Sequence, residues 1–497
     1  MGYVLGLDLG TSSLKGILVN NEGKIIKIAT ESYSLIQSQS GYSEQNPDLW
    51  ITAADNVMHE LLNTVKDFKE NLEAISFSGQ MHSLVLLDDK NRVLRNAILW
   101  NDMRTSEQSK KIMQNFDQLL SITKNRSLEG FTLPKILWVQ EKEPEIWNRV
   151  KHILLPKDYL SFYMTGHYYT DYSDAAGTLL LDLNTDKWSS VLLDKYNIPE
   201  DYLPKLVNST DFIGYLKDEL LARYKFSNKI KVFAGAADNA SAALGAGIID
   251  KNTAMASIGT SGVFLAPEES SNRNYKGKLH FFHHAIAETY YSMGVTLAAG
   301  YSLEWFKKTF APDLSFNNLL EEINTIPTGS DGLLFTPYIV GERTPHNDSL
   351  IRGSFIGIDS THTLAHFAKS VIEGITFSLK DSQMIMEKTT HRNFKRIISI
   401  GGGAKSEEWL QIQANIFDTE VISLVSEHGP GLGATMIAAM GLKWFDSVER
   451  CAESFVNYGK SFFPQKEEVE KYIELYNVYK TIYDNTKNIN YSLQNLK

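Results

Sequence analysis

Two short stretches half a chain apart carry the same pattern. Asp8-Leu9-Gly10-Thr11-Ser12-Ser13 and Ser257-Ile258-Gly259-Thr260-Ser261-Gly262 each read as a strand end, a Gly-Thr-Ser turn and the start of another strand. One Gly-Thr-Ser alone says little. Placed at the start of each half, the pair predicts an internal duplication: two similar α/β domains facing a shared cleft, each offering one turn to the same phosphate chain. A chain of 497 residues is expected to form two domains of about 250 residues in any case. The boundary is expected at Ile248 to Asn252, which gives domains 1–248 and 253–497.

Local patterns around the repeat agree with it. Val4 to Leu9 and Leu14 to Asn20 read as strands, followed by the turn Asn21-Glu22-Gly23-Lys24 and a strand from Ile25 to Ile28. Ile51 to Phe68 has helical spacing, and Ala74 to Ser78 reads as a short strand. In the second half, Thr253 to Ser257 and Val263 to Ala266 flank the repeated turn, and the polar, aromatic tail after Lys466 reads as a closing helix.

Composition narrows the function. A hydrophobic share of 43% with 22% charged residues is that of a globular protein. No apolar run approaches the roughly 18 residues of a membrane span, and no basic leader precedes the first strand, so no membrane partner is expected. The net charge of −10, with no block of Lys or Arg, speaks against nucleic acid as a partner. It leaves phosphate ligands open, because backbone N–H groups and a few side chains can hold them. The single cysteine, Cys451, forms no disulfide or ligand cluster, which fits a cytoplasmic location, and it reads as a small apolar residue of a late helix.

Several segments carry chemistry. Gly10 lets the backbone approach a ligand, and Thr11, Ser12 and Ser13 can donate to phosphate oxygens. Asp8, at the strand end, is placed to hold Mg²⁺ through water. The chain has no G-x-x-x-x-G-K-S/T, so it is not a P-loop enzyme. Asp238 follows the apolar strand Lys231 to Ala234, among the small residues of AGAADNASAALGAG. It can accept a proton from a hydroxyl attacking a γ-phosphate, or simply cap the next helix. Asn239 beside it can bind a sugar hydroxyl or help the cap. Gln80 and His82 in SGQMHS, and Trp100 and Asp102 in WNDMR, offer polar and aromatic contacts. The plainer readings are a structural histidine and an internal Asp102–Arg104 pair. Gly401-Gly402-Gly403-Ala404, between a strand and a helix, suits a purine or a phosphate, or any tight turn.

Taken in order, these segments resemble the FGGY carbohydrate kinases. DLGTSSLKG, GYSEQNPDLW, SGQMHS, ILWNDMR, LPKDYL, DAAGTLLLD, GAADNA, SIGTSG and SIGGGAKSEEWLQIQANIF carry the resemblance, and GERTPHND with GQMH and WND points to the branch acting on D-xylulose. The resemblance covers residues 4 to about 445. It implies an α/β two-domain actin/hexokinase-type ATPase fold, with ribonuclease H-like duplicated domains and an interdomain cleft. The N-terminal domain would bind the sugar and the C-terminal domain the nucleotide. The implied ligands are ATP, Mg²⁺ and D-xylulose, and a homodimer is common in the family.

Carried over by position, Asp238 becomes the general base and Asp8 the Mg²⁺-associated carboxylate. Gln80, Met81, His82, Trp100, Asp102 and Asn239 become sugar contacts. Gly10, Thr11, Ser12, Gly259 and Thr260 would hold phosphates, with Gly300, Gly402, Gly403, Ala404 and Glu407 bordering the nucleotide. Two departures stand out: Ser83 replaces the usual glycine after Met-His, and Ala236-Ala237 replace two glycines before Asp-Asn. Ser83 keeps another acceptor open, such as gluconate, ribulose or a polyol. The alanines are expected to have ordinary φ.

Overall fold

The computed structural model describes residues 2–496; Met1 and Lys497, the outer ends of the two predicted domains, lie outside the described residues. The first half builds a sheet from β1 (Tyr3–Leu9), β2 (Ser13–Asn20), β3 (Ile25–Ser32), β4 (Leu72–Gly79), β5 (Phe212–Tyr215) and β6 (Lys231–Phe233), in the order β5-β6-β4-β1-β2-β3. The two-residue β7 (Ala236–Ala237) pairs with the end of β4. Gly23 takes φ +78° in the tight turn between β2 and β3.

The second half repeats the plan with β8 (Thr253–Ile258), β9 (Gly262–Glu268), β10 (His280–His283), β11 (Tyr290–Thr296), β12 (Arg396–Gly401), β13 (Glu420–Leu424) and β14 (Tyr458–Phe462). Their order is β10-β11-β9-β8-β12-β13-β14. In each sheet the first strand pairs antiparallel with the second and parallel with the strand on its other side. A further parallel strand and an antiparallel edge strand follow. That edge strand precedes its neighbour in the first half and follows it in the second.

Strand alternation decides which residues reach the cleft. Tyr3, Leu5, Leu7 and Leu9 of β1 join one core with Trp50, Val57 and Leu61 of α1 (Asp48–Thr64). Val4 points to the other face and shares a core with Leu432 and Met436 of a helix from the second half, Gly429–Gly441. Gly6 and Asp8 face that helix too: a Cβ on Gly6 would lie 2.5 Å from the carbonyl oxygen of Gly431, and one on Gly431 would lie 3.5 Å from the Asp8 Cβ.

The same helix crosses the helix Asp238–Gly245 with backbones nearly touching. A Cβ on Gly433 would fall 1.9 Å from the carbonyl oxygen of Ser241. Small residues thus let a C-terminal helix lie on the N-terminal sheet, so residues near 430–441 pack outside the half to which their position assigns them. The predicted closing helix runs Lys466–Gln494. Among the described residues no helix is long and apolar enough to cross a membrane.

Candidate active site

A cavity of about 390 Å³ lies between the halves. Met81, His82, Trp100, Phe131, Asp238 and Asn239 line it from the first half, and Ser261, Val263, His280, Phe282 and Arg343 from the second. That volume suits a small ligand.

Asp238 opens its helix as the first helical residue rather than as the cap, which is Ala237 at φ −53°. The conformational demand falls one place earlier, on Gly235 at φ +80°, where a Cβ would meet the Phe77 carbonyl oxygen at 2.2 Å. Oδ1 of Asp238 accepts from the backbone N–H of Asn239 at 2.7 Å and from its side-chain amide at 2.9 Å. Among the described residues Oδ2 has no donor and is left for the cavity. Burial, with the negative charge of Asp8 added, pushes the Asp238 carboxyl up to about 7. Burial also raises Asp8, to about 6, against the pull of Lys15. Neither carboxylate has an ion-pair partner among the described residues, and Lys15 acts on Asp8 only at a distance, so the two fit a divalent cation. No cluster of three or more ligating side chains surrounds them among the described residues. The cation that fits is therefore one held mainly by phosphate and water.

His82 sits at φ +66° with its Nδ1 2.6 Å from the carbonyl oxygen of Gly177. Burial drives its pKa down to about 3, so the ring is neutral, Nδ1–H donates to Gly177, and Nε2 is left as an acceptor. Gly177 has to be glycine, because a Cβ there would lie 2.7 Å from Nδ1. Phe131 packs on the ring at 4.5 Å. The buried Lys135, lowered by burial to about 7, donates to the carbonyls of His82 at 3.3 Å and Phe131 at 3.2 Å, and to that of Gly130. Met81 is buried beside them, its sulfur 3.6 Å from the Asn239 amide.

The two Gly-Thr-Ser turns lie at the same cleft. Thr11 Oγ1 accepts from the Trp100 indole at 2.9 Å, and Ser261 is itself on the cavity wall. The carbonyl of Gly10 is held by the Tyr33 hydroxyl at 2.6 Å. Gly259 and Thr260 stand exposed, while Ser12 is exposed in the first turn. The register Ile258↔Gly401 sets the turn Gly402–Ala404 beside them. Gly300 opens the helix Gly300–Phe310 with its N–H donating to the Gly259 carbonyl at 2.8 Å. Gly259, Thr260, Gly300, Gly402 and Gly403 are thereby brought to one end of β8 and β12.

Three expected contacts lie elsewhere. Asp102 is fully buried, with Oδ2 bonded to the Ser43 N–H at 2.6 Å and to Arg104 at 2.7 Å, so it is an internal ion pair and not part of the cavity wall. Gln80 is buried one layer behind, its amide 3.5 Å from the Gly10 carbonyl and its oxygen accepting from Ser83. Glu407 ion-pairs with Lys460 at the surface. The Ser83 hydroxyl accepts from the Trp100 N–H at 3.0 Å, so it braces the cavity wall instead of narrowing the cavity. Sequence reasoning missed Gly177, Phe131, Lys135, Phe282, His280 and Arg343. GERTPHND was noticed as a motif, but nothing in it says that its arginine faces the cavity.

Duplicated sheets of this topology, closing on a cleft with a free carboxylate and a Gly-Thr-Ser turn from each half, define a sugar kinase of the actin/hexokinase type. Residues 3–245 match the FGGY family of carbohydrate kinases, N-terminal domain, and residues 254–442 match the C-terminal domain. The chain belongs to this family, whose members use ATP to phosphorylate carbohydrates. It is 56% identical to a xylulose kinase of Lactococcus lactis, over 99% of each chain. The structure of a ligand-bound xylulose kinase from Lactobacillus acidophilus superposes with a TM-score of 0.93, covering 98% of this chain and 99% of that one at 29% identity. A gluconate kinase from the same species gives 0.92, covering 98% of both chains at 28% identity.

Proposed function

We propose that the protein transfers the γ-phosphoryl group of ATP to the terminal hydroxyl of D-xylulose, giving D-xylulose 5-phosphate. The observation that carries the chemistry is Asp238: one oxygen is tied to Asn239, and the other is free in the cavity beside Met81 and His82. The acceptor is named from the relative that is 56% identical along its whole length.

In this reading the free oxygen of Asp238 accepts the proton of the attacking hydroxyl, and Asn239 fixes the carboxylate plane. Neutral His82 accepts a hydrogen bond from another sugar hydroxyl through Nε2, which orients the acceptor. The apolar walls given by Met81, Phe131 and Phe282 exclude water, the competing nucleophile. Backbone N–H groups and hydroxyls of the two Gly-Thr-Ser turns hold the phosphates. Asp8 would hold Mg²⁺ through water, and that ion supplies charge neutralisation at the β- and γ-phosphates.

The test is coupled ADP release by the purified protein with Mg·ATP and a panel of D-xylulose, D-ribulose, L-ribulose, gluconate and glycerol. D-Xylulose is expected to give the highest kcat/KM by a wide margin. A higher value for any other member would overturn the acceptor assignment, and no stimulation by any sugar would overturn the reading itself.

A further inference from the structure

Among the described residues the Arg343 side chain makes no hydrogen bond and no ion pair. It projects from the loop between the strands Leu334–Thr336 and Ser354–Ile356 into the cavity wall that also holds His82, His280 and Phe282, and among the described residues no carboxylate lies within ion-pair distance of its guanidinium. Its backbone is pinned on both sides. The Glu342 N–H bonds the Asp348 carbonyl at 2.8 Å and the Asp348 N–H bonds the Glu342 carbonyl at 2.8 Å, while the Thr344 N–H bonds the Val295 carbonyl at 3.0 Å and Thr344 Oγ1 accepts from the Val295 N–H at 3.0 Å.

The nearby carboxylates, Glu129 and Glu342, act on it without forming an ion pair. Glu342 turns back to accept from the backbone N–H groups of Leu297 at 3.0 Å and Arg343 at 2.7 Å, and burial raises it to about 8, so it is largely uncharged at neutral pH. Glu129 lines the same cavity from the other half, but its Oε1 accepts from Ser106 at 2.9 Å and stays beyond ion-pair reach. The positive charge acts on His82 and His280, whereas Asp238 is influenced by Asp8 and Asn239. It therefore shares its stretch of cavity wall with His82 and His280. A guanidinium held at a cavity wall and partly desolvated, with Glu129 acting on it only from across the cleft and no ion pair formed, is matched by a planar anion that can take two parallel N–H bonds.

We infer that Arg343 forms a carboxylate-reading subsite on the wall of the acceptor cavity that it shares with His82 and His280, so that sugar acids of five carbons occupy the acceptor site in competition with the neutral sugar. The inference rests on the cavity being the acceptor site. It makes Arg343 a specificity-determining residue, with Glu129 opposing the same anion from across the cleft.

The test compares D-xylonate with its uncharged counterpart, xylitol, by calorimetric binding to the full-length protein and as inhibitors of D-xylulose phosphorylation. Xylonate is expected to bind at least about ten-fold more tightly than xylitol, competitively with D-xylulose. Arg343→Met should erase that preference while keeping xylitol affinity, Arg343→Lys should keep part of it, and Glu129→Gln should enlarge it. Xylonate binding no tighter than xylitol, or a preference that survives Arg343→Met, would overturn the inference. If Arg343→Met does not fold, the wild-type ratio and Arg343→Lys still decide. Xylonate binding that is tight but not competitive with a turning-over D-xylulose would place the subsite outside the acceptor cavity and likewise overturn it. Tight xylonate binding in a protein that does not phosphorylate D-xylulose would instead count against the proposed acceptor.

Discussion

The two Gly-Thr-Ser turns begin from nearly the same sequence, yet they are held in different ways. In the first, the Gly10 N–H bonds the Ser13 carbonyl at 3.0 Å and the Tyr33 N–H bonds the Ser12 carbonyl at 3.0 Å, and side chains supply the rest of the bracing: Tyr33 on the Gly10 carbonyl, Gln45 on the Thr11 carbonyl at 2.7 Å, and Trp100 on the Thr11 hydroxyl. In the second, the Gly259 N–H bonds the Ser261 carbonyl at 3.0 Å, and all the bracing is main chain. Gly300 donates to the Gly259 carbonyl, and Ala299 and Tyr301 donate to that of Thr260 at 3.0 and 3.1 Å. The difference matches what each half contributes. The first half supplies reacting side chains, so its turn is part of a side-chain network that reaches Trp100 and the cavity wall. The second half exposes the backbone of Gly259 and Thr260, which the proposed function assigns to the nucleotide, and a seat braced by backbone leaves that surface free.

This contrast predicts where substitutions hurt. Asp238→Asn removes the carboxylate oxygen that the reading assigns to the proton of the acceptor hydroxyl. It should lower kcat by about 10² or more with little change in sugar affinity, measured by steady-state kinetics. A variant with near wild-type turnover would move the chemistry elsewhere. Gly300→Ala places a Cβ 2.5 Å from the Gly259 carbonyl oxygen, and backbone there cannot step aside as a side chain would. An overpacking cost of about 1–3 kcal/mol should appear as a roughly ten-fold or larger rise in KM for ATP, with the sugar KM much less affected. Tyr33→Phe deletes one of several side-chain braces. Its loss of about 0.5–1.5 kcal/mol should raise the KM for ATP only a few-fold. If Tyr33→Phe proved as damaging as Gly300→Ala, the distinction between side-chain and main-chain bracing would fail.

The repeat was the most informative part of the sequence because a turn carries its own chemistry in consecutive residues. Strand–Gly-Thr-Ser–strand appears at Leu9 to Leu14 and again at Ile258 to Val263, and the structure gives the two sheets the same central strand pairing. Asp238 could be picked out for the same reason: an acidic residue among glycine and alanine is a local pattern. Gln80 reads as a contact because a polar residue at a strand end looks the same whether it faces a ligand or a neighbouring Gly10, whereas for Asp102 the plainer reading, an internal pair with Arg104, is the one the packing gives. What decides the matter is the partner, and the partner is supplied by packing. Lys135 and Arg343 were unreadable for a related reason. Each owes its role to segments far away in the chain: the backbone of His82 for one, and β11 and the cavity for the other. The crossing of the helix Gly429–Gly441 onto β1 was hidden too, since its small residues show that something packs closely but not what.

The central claim is that Asp238 is the base, held near neutrality by burial and by Asp8. The most direct measurement is the pH dependence of the rate at limiting concentrations of both substrates, with excess magnesium, which reports the free enzyme. A base must be deprotonated to act, and its raised pKa moves the loss of activity up toward neutral pH. The rate should therefore be level above about 7 and fall ten-fold per pH unit below it, more steeply once Asp8 also protonates near 6. A rate that stays level down to pH 5 would contradict the account.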